Sequence, residues 1–220
     1  MTSPTVAVIH TSPATVELFS RLLAARLPQA RVINLLDDSV LPQLRDNGGD
    51  ITAVLPRWRE YARIAQQQGA DLILNACSSI GELCVPVEQQ VGVRIVRVDT
   101  AMATKAVAEA RRVAVAATLA STLGPTTRLL VETARAQGRE VEVLPTLVEG
   151  AYAALMAGDR DRHDDLVAAT LSRAAAEADR VVLAQASMAR VLPRLSADHQ
   201  ARCLASPELA VESVVRALAA

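Results

Sequence analysis

Short apolar segments of strand length alternate with alanine-rich segments of helix length along the whole 220-residue chain. This alternation constrains the fold more than any other feature. Because the strand segments are apolar throughout, they are typical of parallel sheets that helices cover on both faces. Hydrophobic residues make up 51% of the chain and aromatic residues only 2%, so Ala, Val and Leu must fill the core. The sequence therefore predicts an α/β fold.

The pattern also predicts where the elements lie. Strands are expected at 6–10, 31–36, 71–76, 93–98, 112–117, 140–145, 180–184 and 201–205. Helices are expected near 13–27, 51–69, 79–91, 100–110, 124–137, 149–157, 159–178, 187–195 and 207–219. Pro13, Pro125 and Pro207 stand where a proline in the first turn of a helix is favourable.

An internal repeat divides the chain into two related halves. The segment DLILNACSS begins at Asp71, and DRVVLAQAS begins at Asp179; in both, an acid precedes an apolar strand and a serine follows it. VAVIHTSPAT (6–15) and VAVAATLAST (113–122) likewise both run from a strand into a hydroxyl-rich turn. The repeat predicts two similar Rossmann-like α/β domains, 1–99 with 207–220 and 100–206. A pseudo-twofold axis would bring the four turns around one cleft.

Composition excludes several classes of function. The formal net charge is −1, which gives no electrostatic reason to expect nucleic acid or a membrane surface as a partner. The N-terminus lacks the basic region of a signal peptide, and three cysteines do not suit a disulfide framework. Nucleotide-binding glycine motifs are absent, and the three histidines have no metal-ligand spacing. A cytoplasmic protein is predicted, with no support for a nucleotide or a metal site.

Cys77 follows the third predicted strand and precedes a predicted helix. In open α/β sheets, ligands bind beyond the carboxyl ends of the strands. Backbone N–H groups and the helix dipole there favour an anion, so we expect a lowered pKa for the Cys77 thiol and a carboxylate bound beside it. Such a thiolate can act as a base or as a nucleophile. Cys84 and Cys203 fit the alternative of a buried structural cysteine. Short polar groups near Cys77 come from Asn75, Ser78 and Ser79.

The chain resembles the aspartate/glutamate/hydantoin racemase superfamily over essentially its whole length. The resemblance is carried by the paired strands after Asp71 and Asp179, the first of which leads to Cys77, by the ATLAST turn and by the closing segment SPELAVESVV. The resemblance implies two similar domains with a cofactor-independent site between them, and a homo-oligomer. It also implies a mechanism in which one cysteine from each half flanks the substrate's α-carbon. One cysteine removes a proton, the other returns it, and hydroxyls and amides at the strand ends hold the carboxylate.

By this resemblance Cys77 is the first-half cysteine, but the second-half position is Gln185. Glutamine does not titrate at neutral pH, which calls a symmetric two-thiol mechanism into question. The resemblance places carboxylate-binding turns at Thr11 and Ser12 in the first half and at 118–122 in the second. The predicted substrate-binding residues are Thr11, Ser12, Asn75, Ser78, Ser79, Thr118, Ser121, Thr122, Gln185, Ala186 and Ser187.

Three explanations of Gln185 stay open. Another group supplies the second proton, and His10, at the end of the first strand, is the best placed by sequence. Alternatively, Cys77 serves a one-sided reaction such as decarboxylation, as in the similar arylmalonate decarboxylases, which keep their cysteine in the other half. Thirdly, Cys77 adds covalently to an unsaturated diacid, as the resemblance to maleate isomerases implies.

The sequence thus predicts a racemase or epimerase-type isomerase acting at the α-carbon of a small carboxylate or amino-acid derivative, with Cys77 and His10 as catalytic residues. A carbon–carbon lyase is the alternative. A non-catalytic protein that binds a carboxylate is the third.

Overall fold

The computed structural model describes residues 3–219. It contains two compact units: one extends to Val98 and resumes at Pro207, and the other comprises Asp99–Ser206. Each unit has one parallel four-stranded sheet with helices, so the prediction of two similar Rossmann-like α/β domains is confirmed. Residues 1, 2 and 220 of the first predicted domain lie outside the described residues. Within the described part, no helix is both long and apolar enough to cross a membrane.

The elements follow one another as strand and helix. The first half contains β1 (Thr5–His10), α1 (Ala14–Arg26), β2 (Arg31–Leu36), α2 (Val40–Asp46), a short 3-10 helix (Ile51–Ala53), α3 (Leu55–Gln67), β3 (Leu72–Asn75), a kinked 3-10 helix (Ser78–Leu83), α4 (Cys84–Val91) and β4 (Arg94–Arg97). The remainder contains α5 (Thr100–Glu109), β5 (Arg112–Ala117), α6 (Ala120–Ala136), β6 (Glu142–Leu147), α7 (Ala151–Met156), α8 (Arg160–Glu177), β7 (Arg180–Leu183), a 3-10 helix (Ala186–Arg194), α9 (Ala197–Arg202), β8 (Cys203–Ala205) and α10 (Ser206–Ala219).

Both sheets have the same strand order. The first sheet runs β2-β1-β3-β4, and the second runs β6-β5-β7-β8. In each, the chain reverses its direction of winding between the two central strands, β1 and β3 or β5 and β7. Open α/β sheets bind ligands at such a switch point, beyond the carboxyl ends of the central strands.

Helices cover both faces of the first sheet, which explains why β1 is buried along its whole length. Val6 and Val8 point to the face that α1 and the C-terminal helix α10 cover. Ala7 and Ile9 point to the opposite face, where α2, α3 and α4 pack. In the second unit, α8 and the 3-10 helix Ala186–Arg194 pack on one face of the sheet around Ala114.

The acid that opens each copy of the repeat has a structural role. The Asp71 carboxylate accepts a hydrogen bond from the backbone N–H of Thr5 at 2.7 Å. The Asp179 carboxylate accepts two, from the N–H groups of Arg111 and Arg112, both at 2.9 Å. These backbone N–H groups hold the pKa of Asp179 below its usual range. Each aspartate therefore ties the amino ends of the two central strands together, away from the carboxyl ends.

Some sequence-based boundaries were wrong. β6 begins at Glu142 and ends at Leu147, two residues later than predicted. Helix α6 begins at Ala120, so Pro125 lies inside it and not in its first turn. Because proline has no N–H, the Ser121 carbonyl loses its usual helical donor. The segments 78–83 and 186–194 form 3-10 helices, and α2 and α9 were not predicted.

Candidate active site

The switch point of the first unit lies at the carboxyl ends of β1 and β3. Thr11 follows β1 directly and Cys77 follows β3 by two residues, and both are buried. The backbone N–H of Ala76 donates to the Ile9 carbonyl at 2.9 Å, which continues the sheet pairing up to the cysteine. The parallel register therefore brings together two residues that are 66 positions apart in the sequence.

Hydrogen-bond donors surround the Cys77 sulfur. Cys77 has an extended backbone and immediately precedes the kinked 3-10 helix Ser78–Leu83. The sulfur accepts hydrogen bonds from the hydroxyls of Thr11 and Ser79 and from the backbone N–H groups of Ser79 and Ile80. Four donors directed at one sulfur stabilise its thiolate form whenever the proton leaves.

The net effect on the thiol is the opposite of the sequence-based expectation. Burial raises the pKa of Cys77, and the hydrogen bonds from Thr11, Ser79 and Ile80 offset this only in part. At this site, the cost of burying the thiolate exceeds what its hydrogen bonds return. The expected lowering of the pKa is therefore wrong, and the resting form at neutral pH is the thiol.

Asn75 holds the turn that presents Cys77. This fully buried residue donates from Nδ2 to the Cys77 carbonyl at 3.1 Å and to the Cys84 sulfur at 3.3 Å. Its Oδ1 accepts the Cys77 N–H at 3.3 Å. The amide predicted to bind substrate is thus used within the turn. Its role as a substrate ligand stays a prediction.

We expect Asn75→Ala to destabilise the fold by about 2–3 kcal/mol, because a buried N–H and a buried carbonyl of Cys77 would lose their partner. Urea unfolding followed by circular dichroism measures the change. Gln89→Ala, which removes an exposed amide from α4, is the control. Equal midpoints for the two variants would show that the Asn75 contacts contribute nothing.

His10 lies at the end of β1 on the face that α1 covers, with its ring 6.3 Å from the Phe19 ring. The ring is fully buried, and both nitrogens have partners: Nδ1 is 2.8 Å from the Thr15 hydroxyl, and Nε2 is 3.0 Å from Asn34 Oδ1. Burial lowers the pKa of His10, with the Asn34 contact opposing it. The ring is therefore neutral at pH 7 and satisfied within its own unit. That it supplies the second proton stays a prediction.

The second unit repeats this arrangement of strand ends, but a different residue stands at the position of the thiol. Thr118 follows β5 as Thr11 follows β1, and Gln185 stands where the first unit has Cys77. Gln185 Oε1 accepts hydrogen bonds from the Thr118 backbone N–H at 2.7 Å and from the Thr118 hydroxyl at 3.0 Å. A backbone N–H can only donate, so the atom facing it must be the amide oxygen. The orientation of the Gln185 amide is therefore fixed, with its NH₂ group directed away from Thr118.

This contact changes what the second turn can offer a ligand. Thr118 was predicted to bind a carboxylate, but both of its donors already bond Gln185. Among residues 3–219, nothing hydrogen-bonds the Gln185 Nε2. In the second unit, the group next to the strand end is therefore a neutral donor that neither accepts nor releases a proton.

The other predicted site residues differ in burial. Ser12 is half-buried; its carbonyl accepts a hydrogen bond from the Thr15 N–H and lies 2.8 Å from the Thr15 hydroxyl oxygen. Buried positions are Ser78, Ser79 and Thr122; half-buried positions are Ser121 and Ala186; Ser187 is exposed. The described chain contains no group of three or more His, Cys, Asp or Glu side chains that could hold a metal ion.

Three contributors were missed from the sequence. Thr15 and Asn34 bond the His10 ring, and Ile80 donates its N–H to the Cys77 sulfur. Thr15 ends the first copy of the hydroxyl-rich turn, so the repeat itself was the available signal. Asn34 and Ile80 are identified only by tertiary structure.

The chain was compared with known proteins. The model of the family described as Asp/Glu/Hydantoin racemase matches residues 6–214. No curated protein matches the chain. A glutamate racemase from Bacillus anthracis shares 13% identity and has a TM-score of 0.78, with 100% of this chain and 83% of that chain covered.

Two further solved structures are similar. An allantoin racemase from Klebsiella pneumoniae shares 18% identity, with a TM-score of 0.62 and coverage of 99% of this chain and 88% of that chain. An arylmalonate decarboxylase shares 19% identity, with a TM-score of 0.58 and coverage of 97% and 92%. At these identities the likeness shows a common fold.

Proposed function

Since the chain belongs to the Asp/Glu/hydantoin racemase family, we propose that it is a cofactor-independent enzyme acting at the α-carbon of a small carboxylate or amino-acid derivative. Cys77 transfers the proton. The observation that carries this proposal is the set of four hydrogen-bond donors on the Cys77 sulfur at the end of the central strands. A sulfur held in this way can give up a proton and keep the resulting charge without a metal or an organic cofactor.

Isomerisation is the first candidate reaction, and the family supports it. A racemase removes the α-proton on one face of the carbon and returns a proton on the other. Cys77 serves one face; the other needs a second titrating group, because Gln185 cannot titrate. The homo-oligomeric state and the cytoplasmic location expected from the sequence stay predictions.

Carbon–carbon cleavage is the second candidate, and the contact between Gln185 and Thr118 favours it. In this reaction the bond between the α-carbon and one carboxylate of a substituted malonate breaks, carbon dioxide leaves, and the electron pair stays on the α-carbon. The Cys77 S–H then donates its proton to that carbon, and the thiolate recovers a proton from water. The Gln185 NH₂ stabilises the remaining carboxylate, whose negative charge grows while the electron pair is delocalised. One thiol is sufficient.

Proton NMR in D₂O separates these reactions, with amino acids, hydantoins and substituted malonates as substrates. Deuterium at the α-carbon together with racemisation establishes the isomerase. Deuterium in a product that has lost carbon dioxide establishes the lyase. A protein that binds members of the panel without incorporating deuterium contradicts both and supports the carboxylate-binding alternative.

We expect Gln185→Glu to lower kcat/KM for a carboxylate substrate about 10- to 100-fold, mostly through KM. The new side chain keeps an oxygen for Thr118 but replaces the NH₂ donor with a negatively charged acceptor. Initial rates in the NMR assay measure the change. Gln200→Glu, an exposed residue of the same unit, controls for the added charge. Unchanged kinetics in Gln185→Glu would remove Gln185 from the site.

A further inference from the structure

The two units differ in the residues around the carboxyl end of the first central strand, β1 in the unit with the thiol and β5 in the other. In the alignment of the two repeats, Thr11 corresponds to Thr118 and Thr15 to Thr122, so both units have these two hydroxyls. The N–H of Thr15 bonds the Ser12 carbonyl at 3.2 Å, and the N–H of Thr122 bonds the Leu119 carbonyl at 3.1 Å, so the turn is kept as well. The imidazole and its partner are not kept.

The positions of His10 and Asn34 are occupied in the second unit by Ala117 and Pro145. The strand registers fix this correspondence, since Asn34 lies beside Val8 and Pro145 beside Val115. The unit with a thiol therefore has an imidazole bonded to an amide, and the unit with Gln185 has two side chains that cannot hydrogen-bond. This association of the imidazole with the thiol is not required by the fold, because the second unit forms the same sheet and turn without it.

The hydrogen bonds connect His10 to the turn beside Cys77. The Thr15 hydroxyl has one proton, so a neutral ring that donates from Nε2 to Asn34 Oδ1 accepts that proton at Nδ1. The same Thr15 hydroxyl lies 2.8 Å from the Ser12 carbonyl. Thr11, which donates its hydroxyl to the Cys77 sulfur, stands between His10 and Ser12 in the chain. The ring thus braces β2, the start of α1 and the turn that contains Thr11.

We propose that His10 is a positioning residue for the Cys77 thiol: its ring holds the Thr11–Ser12 turn so that the Thr11 hydroxyl stays hydrogen-bonded to the Cys77 sulfur. The proposal rests on the proposed function of Cys77 and assigns His10 a part in it that needs no proton transfer to substrate.

The test measures the rate of iodoacetamide alkylation of Cys77 as a function of pH, resolved by peptide mass spectrometry. Only the thiolate reacts, so the pH profile reports how far the hydrogen bonds stabilise it. Cys203, in the other unit and with its pKa raised by burial to about 11, is the internal reference. No substrate is needed.

In His10→Ala the Cys77 profile is expected to move up by about 1 pH unit, with a rate about 10-fold lower on the rising limb, because one hydrogen bond to the thiolate is lost. Thr11→Val should give the same shift. The double variant should shift no further than either single variant, because both changes remove one and the same hydrogen bond. His10→Asn, whose shorter amide can still meet Thr15, should recover most of the parent profile.

Other variants keep the test decisive if His10→Ala does not fold. Thr15→Val preserves volume but cuts the link between the ring and the turn, so it should reproduce the shift. Thr133→Val, which removes a hydroxyl bonded to the Leu129 carbonyl in the other unit, should leave the profile unchanged.

Three results would overturn the proposal. These are a His10→Ala profile equal to the parent's, shifts that add in the double variant, or no recovery in His10→Asn. A parent Cys77 that resists iodoacetamide at every pH would count against a reactive thiol altogether. It would overturn the positioning role as well, whereas the proposed function fails on a different result, which is parent-like deuterium incorporation in Cys77→Ala.

Discussion

Cys77→Ala is expected to lower the rate of deuterium incorporation at the substrate's α-carbon about 100- to 10,000-fold. The substitution removes the sulfur to which Thr11, Ser79 and Ile80 direct their donors, and alanine can neither accept nor return a proton. The assay is proton NMR in D₂O on whichever substrate the parent turns over. Circular dichroism spectra and melting curves must show that the variant still folds.

Cys203→Ala is the matched control, because Cys203 lies in the other unit, at the start of β8, and is half-buried. It should retain the parent's rate. Full activity in Cys77→Ala would refute the assignment of Cys77, whatever reaction the protein catalyses.

The pH dependence of the same activity reveals the direction of the proton transfer. Burial raises the pKa of Cys77, so the thiol is the prevailing form at neutral pH. If Cys77 donates its proton in the slow step, kcat/KM is full at neutral pH and falls as the pH rises through that pKa. If Cys77 removes a proton, kcat/KM rises over the same interval. Rates measured from about pH 6 to about pH 10 therefore distinguish an acid from a base.

The second large effect is expected in the core. Trp58→Ala should destabilise the protein by about 3–5 kcal/mol. Trp58 is 1% exposed and is the largest fully buried side chain of the described residues. It lies on α3 in the cluster that covers one face of the first sheet, together with Ile9 and Ile73. Urea unfolding followed by circular dichroism measures the loss.

Two variants test whether cavity formation is the cause. The Trp58 Nε1 is buried without a hydrogen-bond partner among the described residues, so Trp58→Phe keeps much of the volume and removes an unsatisfied group. It should cost clearly less than Trp58→Ala. Ile64→Ala, on the exposed side of the same helix, should cost under about 1 kcal/mol. Equal losses in Trp58→Ala and Ile64→Ala would contradict the packing seen around α3.

The fold was largely predictable because it depends on local pattern. Apolar strands without polar alternation and the repeat beginning at Asp71 and Asp179 were sufficient to predict two parallel sheets. The start of α6 was wrong because Pro125 was placed in a first turn. The helix instead begins right after β5, at Ala120. A proline inside a helix is tolerated where the packing of its neighbours outweighs one missing hydrogen bond.

The site was predictable in part. Register alone brings Thr11 beside Cys77, and the repeat identifies Gln185 as the second-unit counterpart. The direction of the Cys77 pKa shift was not predictable, since burial depends on how distant helices pack around the turn. The two hydrogen bonds from Thr118 to Gln185 were not predictable either, because the sequence does not reveal which rotamer a glutamine side chain adopts. Asn34 was missed because it lies on a neighbouring strand, and its pairing with His10 depends on the register between β1 and β2.

The two aspartates stabilise the sheets at the amino ends of the central strands, away from the residues proposed to react at the carboxyl ends. Asp71 and Asp179 fasten the corresponding pair of strands in each unit, whereas the residues at the opposite ends differ: Cys77 and His10 in one unit, Gln185 and Ala117 in the other. Residues at the carboxyl ends of the strands can therefore be exchanged while the aspartate contacts at the amino ends keep each sheet assembled. Such a scaffold is well suited to redesign in which the thiol is moved from position 77 to position 185 and the reactivity of the new thiol is measured.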